Sequence, residues 1–110
     1  MNINGQEIST RNDSIPDGPY FDKEGNMSVS GFYLDNMKTG NWVTYFNNGQ
    51  IHIVEYYVEG KKNGIYLRIG KRGYIEEQSE YLNDELSGNR VTYKVGGKIT
   101  LSENYINGKL

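Results

Sequence analysis

The sequence has no cysteine, and among its 110 residues it has only two prolines and one histidine. The absence of cysteine excludes a disulfide framework, a thiolate metal site and a thiol nucleophile. No apolar run approaches the roughly 18 residues that a membrane-spanning helix needs. Residues 1–14 also lack the apolar run of a secretory signal, so we expect a cytoplasmic location.

The chain also lacks an excess of charge of either sign. Twelve Lys and Arg residues stand against 14 Asp and Glu residues, which gives a formal net charge of −2. Such a balance supplies no overall attraction toward nucleic acid or an anionic membrane. We therefore expect no nucleic acid partner.

Glycine and aromatic residues are abundant, although only 35% of the residues are hydrophobic. Fourteen glycines suit a chain with many tight turns. Ten Tyr, three Phe and one Trp supply large side chains, each able to bury roughly 150–250 Å². A length of 110 residues fits one domain.

Glycine and tyrosine recur with a period of 24 residues. The two strictest columns are Gly25, Gly49, Gly73 and Gly97, and Tyr33, Tyr57, Tyr81 and Tyr105. Fixed periodicity of this length is the signature of a repeat architecture, whose terminal units are commonly atypical. The period predicts an N-terminal cap over residues 1–15, followed by four repeats over 16–39, 40–63, 64–87 and 88–110.

Each repeat has the chemistry of a β-hairpin. Residues 41–46 and 51–58 are extended runs separated by the turn Asn48-Gly49, whose residues accept positive φ. The same plan predicts strands at 65–69, 74–82, 90–95 and 98–106. We therefore predict an all-β fold, an open single-layer antiparallel β-meander built of tandem 24-residue hairpin repeats.

Alternation along the strands divides the residues between two faces. Val43 and Tyr45 fall on one face, and Trp42 falls on the other. The first face is predicted to be the core side. In the following strand Ile51, Ile53 and Tyr57 are predicted to share a face. Glu55, Ser79 and Glu103 would lie on the same side as these apolar residues, so either the strand bulges there or the polar groups bond to turn backbone. The sequence leaves both open.

The repeat contains the pattern G-x-W-x-x-Y-x-x-x-G, followed by a hydrophobic strand and Y-x-x-G-K. The best match is Gly40, Trp42, Tyr45 and Gly49, with Tyr57, Gly60 and Lys61. Over residues 16–110 the chain resembles the bacterial variant of the MORN-repeat family, whose members are often described as antitoxin-like. MORN repeats elsewhere are described as protein-interaction and phospholipid-binding modules. The chain departs from the pattern at Pro16, Gly18, Asp84 and Arg90.

Catalytic motifs are weak in this sequence. His52 is the only histidine, and neither a second histidine nor a cysteine can join it. Glu55, Glu103 and the adjacent Glu76 and Glu77 are typical of a solvated strand face rather than an acid/base pair. The segment 70–73 (GKRG) lacks the spacing of a phosphate-binding loop and is predicted to be a charged turn. We expect no enzymatic activity, no cofactor and no metal.

Aromatic and basic residues are the candidates for binding. The predicted partner-binding residues are Trp42, Phe46, Tyr56, Tyr66 and Arg68. Large aromatic residues on an open face are typical anchors for a protein partner, although curvature could equally gather them into a second small core. The candidate anionic-ligand cluster consists of Lys61, Lys62, Lys71 and Arg72.

These features favour a protein-interaction module. Its partner would be another protein, and a toxin is the partner that the antitoxin-like resemblance implies. One alternative is peripheral binding to anionic phospholipid head groups through the basic cluster. Another is structural self-assembly into homo-oligomers, because the terminal strand leaves an edge that could pair with another chain.

Overall fold

The computed structural model describes residues 15–110, which form one antiparallel sheet. The strands are β1 (Gly18–Glu24), β2 (Met27–Leu34), β3 (Met37–Tyr45), β4 (Ile51–Val58), β5 (Lys61–Lys62), β6 (Gly64–Ile69), β7 (Ile75–Leu82), β8 (Glu85–Lys94) and β9 (Lys98–Tyr105). The cap predicted over residues 1–15 lies outside the described residues, apart from Ile15.

Strands pair with their neighbours in chain order, β1-β2-β3-β4-β6-β7-β8-β9, and the two-residue β5 pairs with β4. The prediction of an open antiparallel meander is confirmed. The extents of 56 × 36 × 18 Å match a single layer, since two packed sheets would add about 10 Å between them. Within residues 15–110, no helix is long and apolar enough to cross a membrane.

Tight turns at one side of the sheet explain where the strands end. Asp35-Asn36, Glu59-Gly60 and Asn83-Asp84 all have positive φ at both residues, as a type I′ hairpin turn requires. Asp84 stands where the MORN-like pattern has glycine, and it adopts a φ of 71°. Aspartate tolerates this conformation better than most residues, and its Oδ1 also accepts a hydrogen bond of 2.8 Å from the Lys62 backbone N–H.

A bulge interrupts the register near the opposite turns. Thr44 pairs with Ile53 whereas Tyr45 pairs with Ile51, so His52 is an extra residue in β4. The register shifts in the same way around Glu76 in β7 and Thr100 in β9. A bulge of this kind turns the following residues to the other face. The bulges lie three residues before Glu55, Ser79 and Glu103, whose side chains bond other side chains, those of Lys62, Glu77 and Arg90, instead of turn backbone.

The bulges correct the predicted faces. Glu55 pairs with Trp42, and Tyr57 lies on the same face because it is two residues farther along β4. The prediction that Ile53 and Tyr57 share a face with Glu55 is confirmed, but the inclusion of Ile51 is wrong, because Ile51 precedes the bulge and pairs with Tyr45 on the other face. Strict alternation fails here because one inserted residue reverses every side chain beyond it.

The core also lies on the face opposite to the one predicted. The buried hydrophobic residues are Trp42, Phe46 and Tyr57, at 3%, 9% and 8% exposure, whereas Val43 and Tyr45 are only half-buried. In a single layer, side chains can be covered only by neighbours on their own face. Large aromatic rings can cover one another in this way, whereas shorter aliphatic side chains cannot.

Candidate functional site

The two faces of the sheet carry different side chains. The Trp42 face carries Tyr20, Tyr33, Lys38, Trp42, Glu55, Tyr57, Tyr66, Arg68, Glu77, Ser79, Arg90 and Glu103. The Val43 face carries a row of paired residues, Phe21, Ser30, Val43, Val54, Leu67, Gln78, Val91 and Ser102, with Tyr56 and Ile65 in the adjoining row. Each is a separate candidate surface.

Trp42 is the centre of an aromatic cluster on its face. Its ring centroid lies 5.7 Å from that of Tyr20, 5.1 Å from that of Tyr33 and 6.3 Å from that of Tyr57. Tyr33 and Tyr57 meet the indole edge-on, a geometry that the ring quadrupoles favour. This packing makes Trp42 the most buried aromatic residue of the described chain.

Two lysine ammonium groups lie over these aromatic rings. Lys38 Nζ is 4.7 Å from the Trp42 ring centroid and 5.0 Å from that of Tyr57. One repeat later, Lys62 Nζ is 5.5 Å and 5.0 Å from the ring centroids of Tyr66 and Tyr81. These distances are within the range of cation–π attraction. Lys62 Nζ also lies 3.3 Å from Glu55 Oε2.

An open hollow of about 370 Å³ adjoins the Trp42 cluster. Its lining includes Tyr20, Tyr33 and Trp42, together with the carboxylates of Glu24 and Glu55. Burial is the main factor that raises the pKa of the nearby Tyr57, and the charge of Glu55 adds to it. The hollow is therefore lined by aromatic rings, by two acidic residues and by Lys38.

In the second half of the sheet, ion pairs replace the aromatic cluster on this face. Glu77 Oε1 accepts a 3.2 Å hydrogen bond from Arg68 Nη1, and its Oε2 accepts bonds of 3.1 Å from Arg90 Nε and 2.7 Å from Ser79 Oγ. Arg90 Nη1 lies 3.5 Å from Glu103 Oε1. Ser79 is completely buried beneath this network.

The network keeps Glu77 ionised although the residue is buried. Burial by itself would raise the pKa of Glu77. Hydrogen bonds from Ser79 and Arg90, with the charges of Arg90 and Arg68, outweigh burial and lower the pKa below its ordinary value. A carboxylate held ionised by two guanidinium groups is suited to fixing the sheet rather than to accepting a proton.

The Val43 face is apolar and exposed. Phe21 is 68% exposed, and Tyr56 and Ile65 are each 43% exposed. Val43, Val54, Leu67 and Val91 in the paired row are half-buried. Within residues 15–110 there is no second layer that covers them. Polar side chains such as Ser30 and Gln78 interrupt this face, but a group of large exposed apolar side chains commonly marks an interaction site.

The predicted partner-binding residues do not form one patch. Trp42, Tyr66 and Arg68 lie on the Trp42 face, whereas Tyr56 lies on the Val43 face. Phe46 is buried against His52, with ring centroids 4.3 Å apart. The predicted aromatic set could be exposed anchors or a second small core. Trp42 and Phe46 are buried and fit the small core, whereas Tyr56 is exposed.

The predicted basic cluster is also divided. Lys61 and Lys62 precede β6, whereas Lys71 and Arg72 follow it, so a six-residue strand separates the two pairs by roughly 20 Å. Arg68 is held by Glu76 and Glu77, at 3.1 and 3.2 Å. The sequence placed these residues together because they are close along the chain, but an extended strand keeps them apart.

The hollow contains residues that the sequence did not single out, namely Tyr20, Glu24 and Lys38. Lys38 and Lys62 are 24 residues apart, and each lies opposite a tyrosine of the strict column. This spacing is the sequence signal that identifies the two lysines.

His52 Nδ1 lies 2.9 Å from the Ile69 carbonyl oxygen. Residues 15–110 contain no cluster of three His, Cys, Asp or Glu residues that could hold a metal ion.

Compared with protein-family models and with curated proteins, the chain matches none of them.

Proposed function

We propose that the protein is a non-enzymatic protein–protein interaction module that binds another protein on the Val43 face. The observation that carries the proposal is the exposure of Phe21, Tyr56 and Ile65 on an apolar face of the sheet. Large side chains at the centre of an interface supply most of its binding energy, and tyrosine is among the commonest of these.

The size of the face supports this function. A standard interface buries about 800 Å² on each partner, and the broad side of the protein measures 56 by 36 Å. The row from Phe21 to Ser102 contains no charged residue. A partner with an apolar surface could therefore cover the row without burying an unpaired charge, which would oppose binding.

Affinity capture from a host lysate with matched variants tests the proposal. Tyr56→Ser/Ile65→Ser removes two adjacent exposed groups from the Val43 face. Val95→Ser is the control, because Val95 is 61% exposed and lies in the turn between β8 and β9. We expect a stoichiometric partner whose affinity falls about 30-fold or more in the double variant, as loss of a hot spot does, and stays unchanged in the control. Equal capture by all three proteins would refute the proposal.

The identity of the partner needs a second experiment. The resemblance to antitoxin-like MORN variants suggests a toxin, in which case co-expression with the captured partner should rescue growth of the host cell. Rescue should fail with Tyr56→Ser/Ile65→Ser and persist with Val95→Ser. A harmless partner would leave the interaction proposal in place and reject the antitoxin role.

A further inference from the structure

We infer that the hollow beside Trp42 is a binding site for an organic ammonium group, such as choline or a methylated lysine side chain. It lies on the Trp42 face and is therefore separate from the protein-binding surface proposed above. Aromatic rings around a cation are the usual means by which proteins recognise quaternary ammonium groups, because the ring faces attract positive charge.

Lys38 shows that an ammonium group fits these rings. Its Nζ lies 4.7 Å and 5.0 Å from the ring centroids of Trp42 and Tyr57. Among residues 15–110, no carboxylate lies within 4.0 Å of this nitrogen. Lys62 differs, because Glu55 anchors it at 3.3 Å. Lys38 is thus a weakly held occupant that an incoming ammonium group can displace.

The hollow has space and charge for a larger cation than a lysine ammonium group. About 370 Å³ lies open beside the rings of Tyr20, Tyr33 and Trp42, within the usual range for a small-molecule site. Glu24 and Glu55 also line the hollow, although Glu55 is already paired with Lys62 at 3.3 Å. A trimethylammonium group is larger and less hydrated than a primary ammonium group, so its transfer from water onto aromatic rings is easier.

The sole tryptophan makes binding directly observable. We would titrate the protein with choline chloride at constant ionic strength and follow the fluorescence of Trp42, with 3,3-dimethyl-1-butanol as the neutral isostere of choline. A short peptide with one trimethyllysine forms a parallel arm. We expect both cations to change the fluorescence and the neutral alcohol to have no effect. A response to only one cation would identify the source of the ligand and still support the site.

Removal of Lys38 provides the decisive comparison. Lys38→Met retains an unbranched side chain but removes the competing cation, so we expect choline to bind about fivefold more tightly, given two lost cation–π contacts in the unbound state. Lys61→Met makes the same charge change at an exposed position and should leave the affinity unchanged. Circular dichroism checks that both variants are folded.

Three results would overturn the inference. One is the absence of any response to either cation in both the wild type and Lys38→Met. Another is equal binding of the neutral isostere, which would make the hollow a purely apolar site. The third is equal tightening by Lys61→Met, which would attribute the effect to net charge. None of these results bears on partner capture through the Val43 face.

Discussion

The indole ring of Trp42 occupies the space that a β-carbon on Gly31 would need, and a Cβ built there would overlap ring atoms Cδ2 and Cε2. Gly31 stands in the same repeat column as Glu55, Ser79 and Glu103. Of these four residues only Gly31 has no side chain, and the indole ring takes the place that its side chain would fill. The two residues therefore form a matched pair that sets how closely the aromatic cluster packs on the sheet.

Gly31→Ala should destabilise the protein by about 1–3 kcal/mol, the usual effect of overpacking a core. The added methyl group must push Trp42 away from Tyr33 and Tyr57. Urea unfolding measures the change. In the double variant Gly31→Ala/Trp42→Leu the clash is relieved, so the loss should be smaller than the sum of the two single losses. Strict additivity would show that the methyl group does not meet the ring.

Glu77→Gln should lower the free energy of unfolding by about 1–3 kcal/mol, because Arg68 and Arg90 would lose a charged acceptor. The loss is limited to this range because solvent partly screens both arginines. Glu76→Gln is the control. Glu76 is more exposed and, within residues 15–110, bonds only Arg68, so its loss should be below about 1 kcal/mol. Equal effects of the two variants would contradict the central position of Glu77 in the network.

Acid should destabilise the wild type more than Glu77→Gln. The pKa of Glu77 is lowered in the folded protein from its ordinary value of 4.5. Its stabilising contribution is therefore complete above pH 4.5 and is lost as the pH falls through the folded-state pKa. The urea midpoint measured at pH 7 and pH 3 gives the difference. Parallel pH profiles for the two proteins would exclude a role for this carboxylate in acid stability.

Trp42 fluorescence should report a buried indole in the native protein. We expect emission at a shorter wavelength than after urea unfolding, and little quenching by iodide, because only 3% of Trp42 is exposed. Exposed tyrosines such as Tyr56 do not interfere when excitation is selective for tryptophan. Strong iodide quenching of the folded protein would instead place Trp42 on an open surface, as an anchor for a partner.

The repeat and the strands could be read from local chemistry. The 24-residue columns, the Asn-Gly turn at 48–49 and the alternation of apolar residues predicted hairpins in a meander, and the sheet has that order. Strands 41–46 and 51–58 were placed within a few residues of β3 and β4. β3 begins earlier, at Met37, because the type I′ turn at Asp35-Asn36 is tighter than the link that the sequence suggested.

The candidate sites were less accessible to sequence reasoning. Of the predicted aromatic anchors, Tyr56 is exposed, whereas Trp42 and Phe46 are buried. Residue type identifies a side chain that could anchor a partner, but exposure depends on what lies across the neighbouring strands. Gly31 and Tyr33 on β2 determine the burial of Trp42, and neither is close to it in the sequence.

The sequence by itself therefore determined the all-β class, the period and the open meander, because turns and strands depend on residues that are near one another along the chain. Only the tertiary structure decided which face is buried and which residues meet. The single-residue bulges at His52, Glu76 and Thr100 reverse the faces beyond them. In a single-layer sheet, moreover, burial comes only from neighbours on the same face, so the rings around Trp42 form the core while the row from Val43 to Val91 stays half-buried.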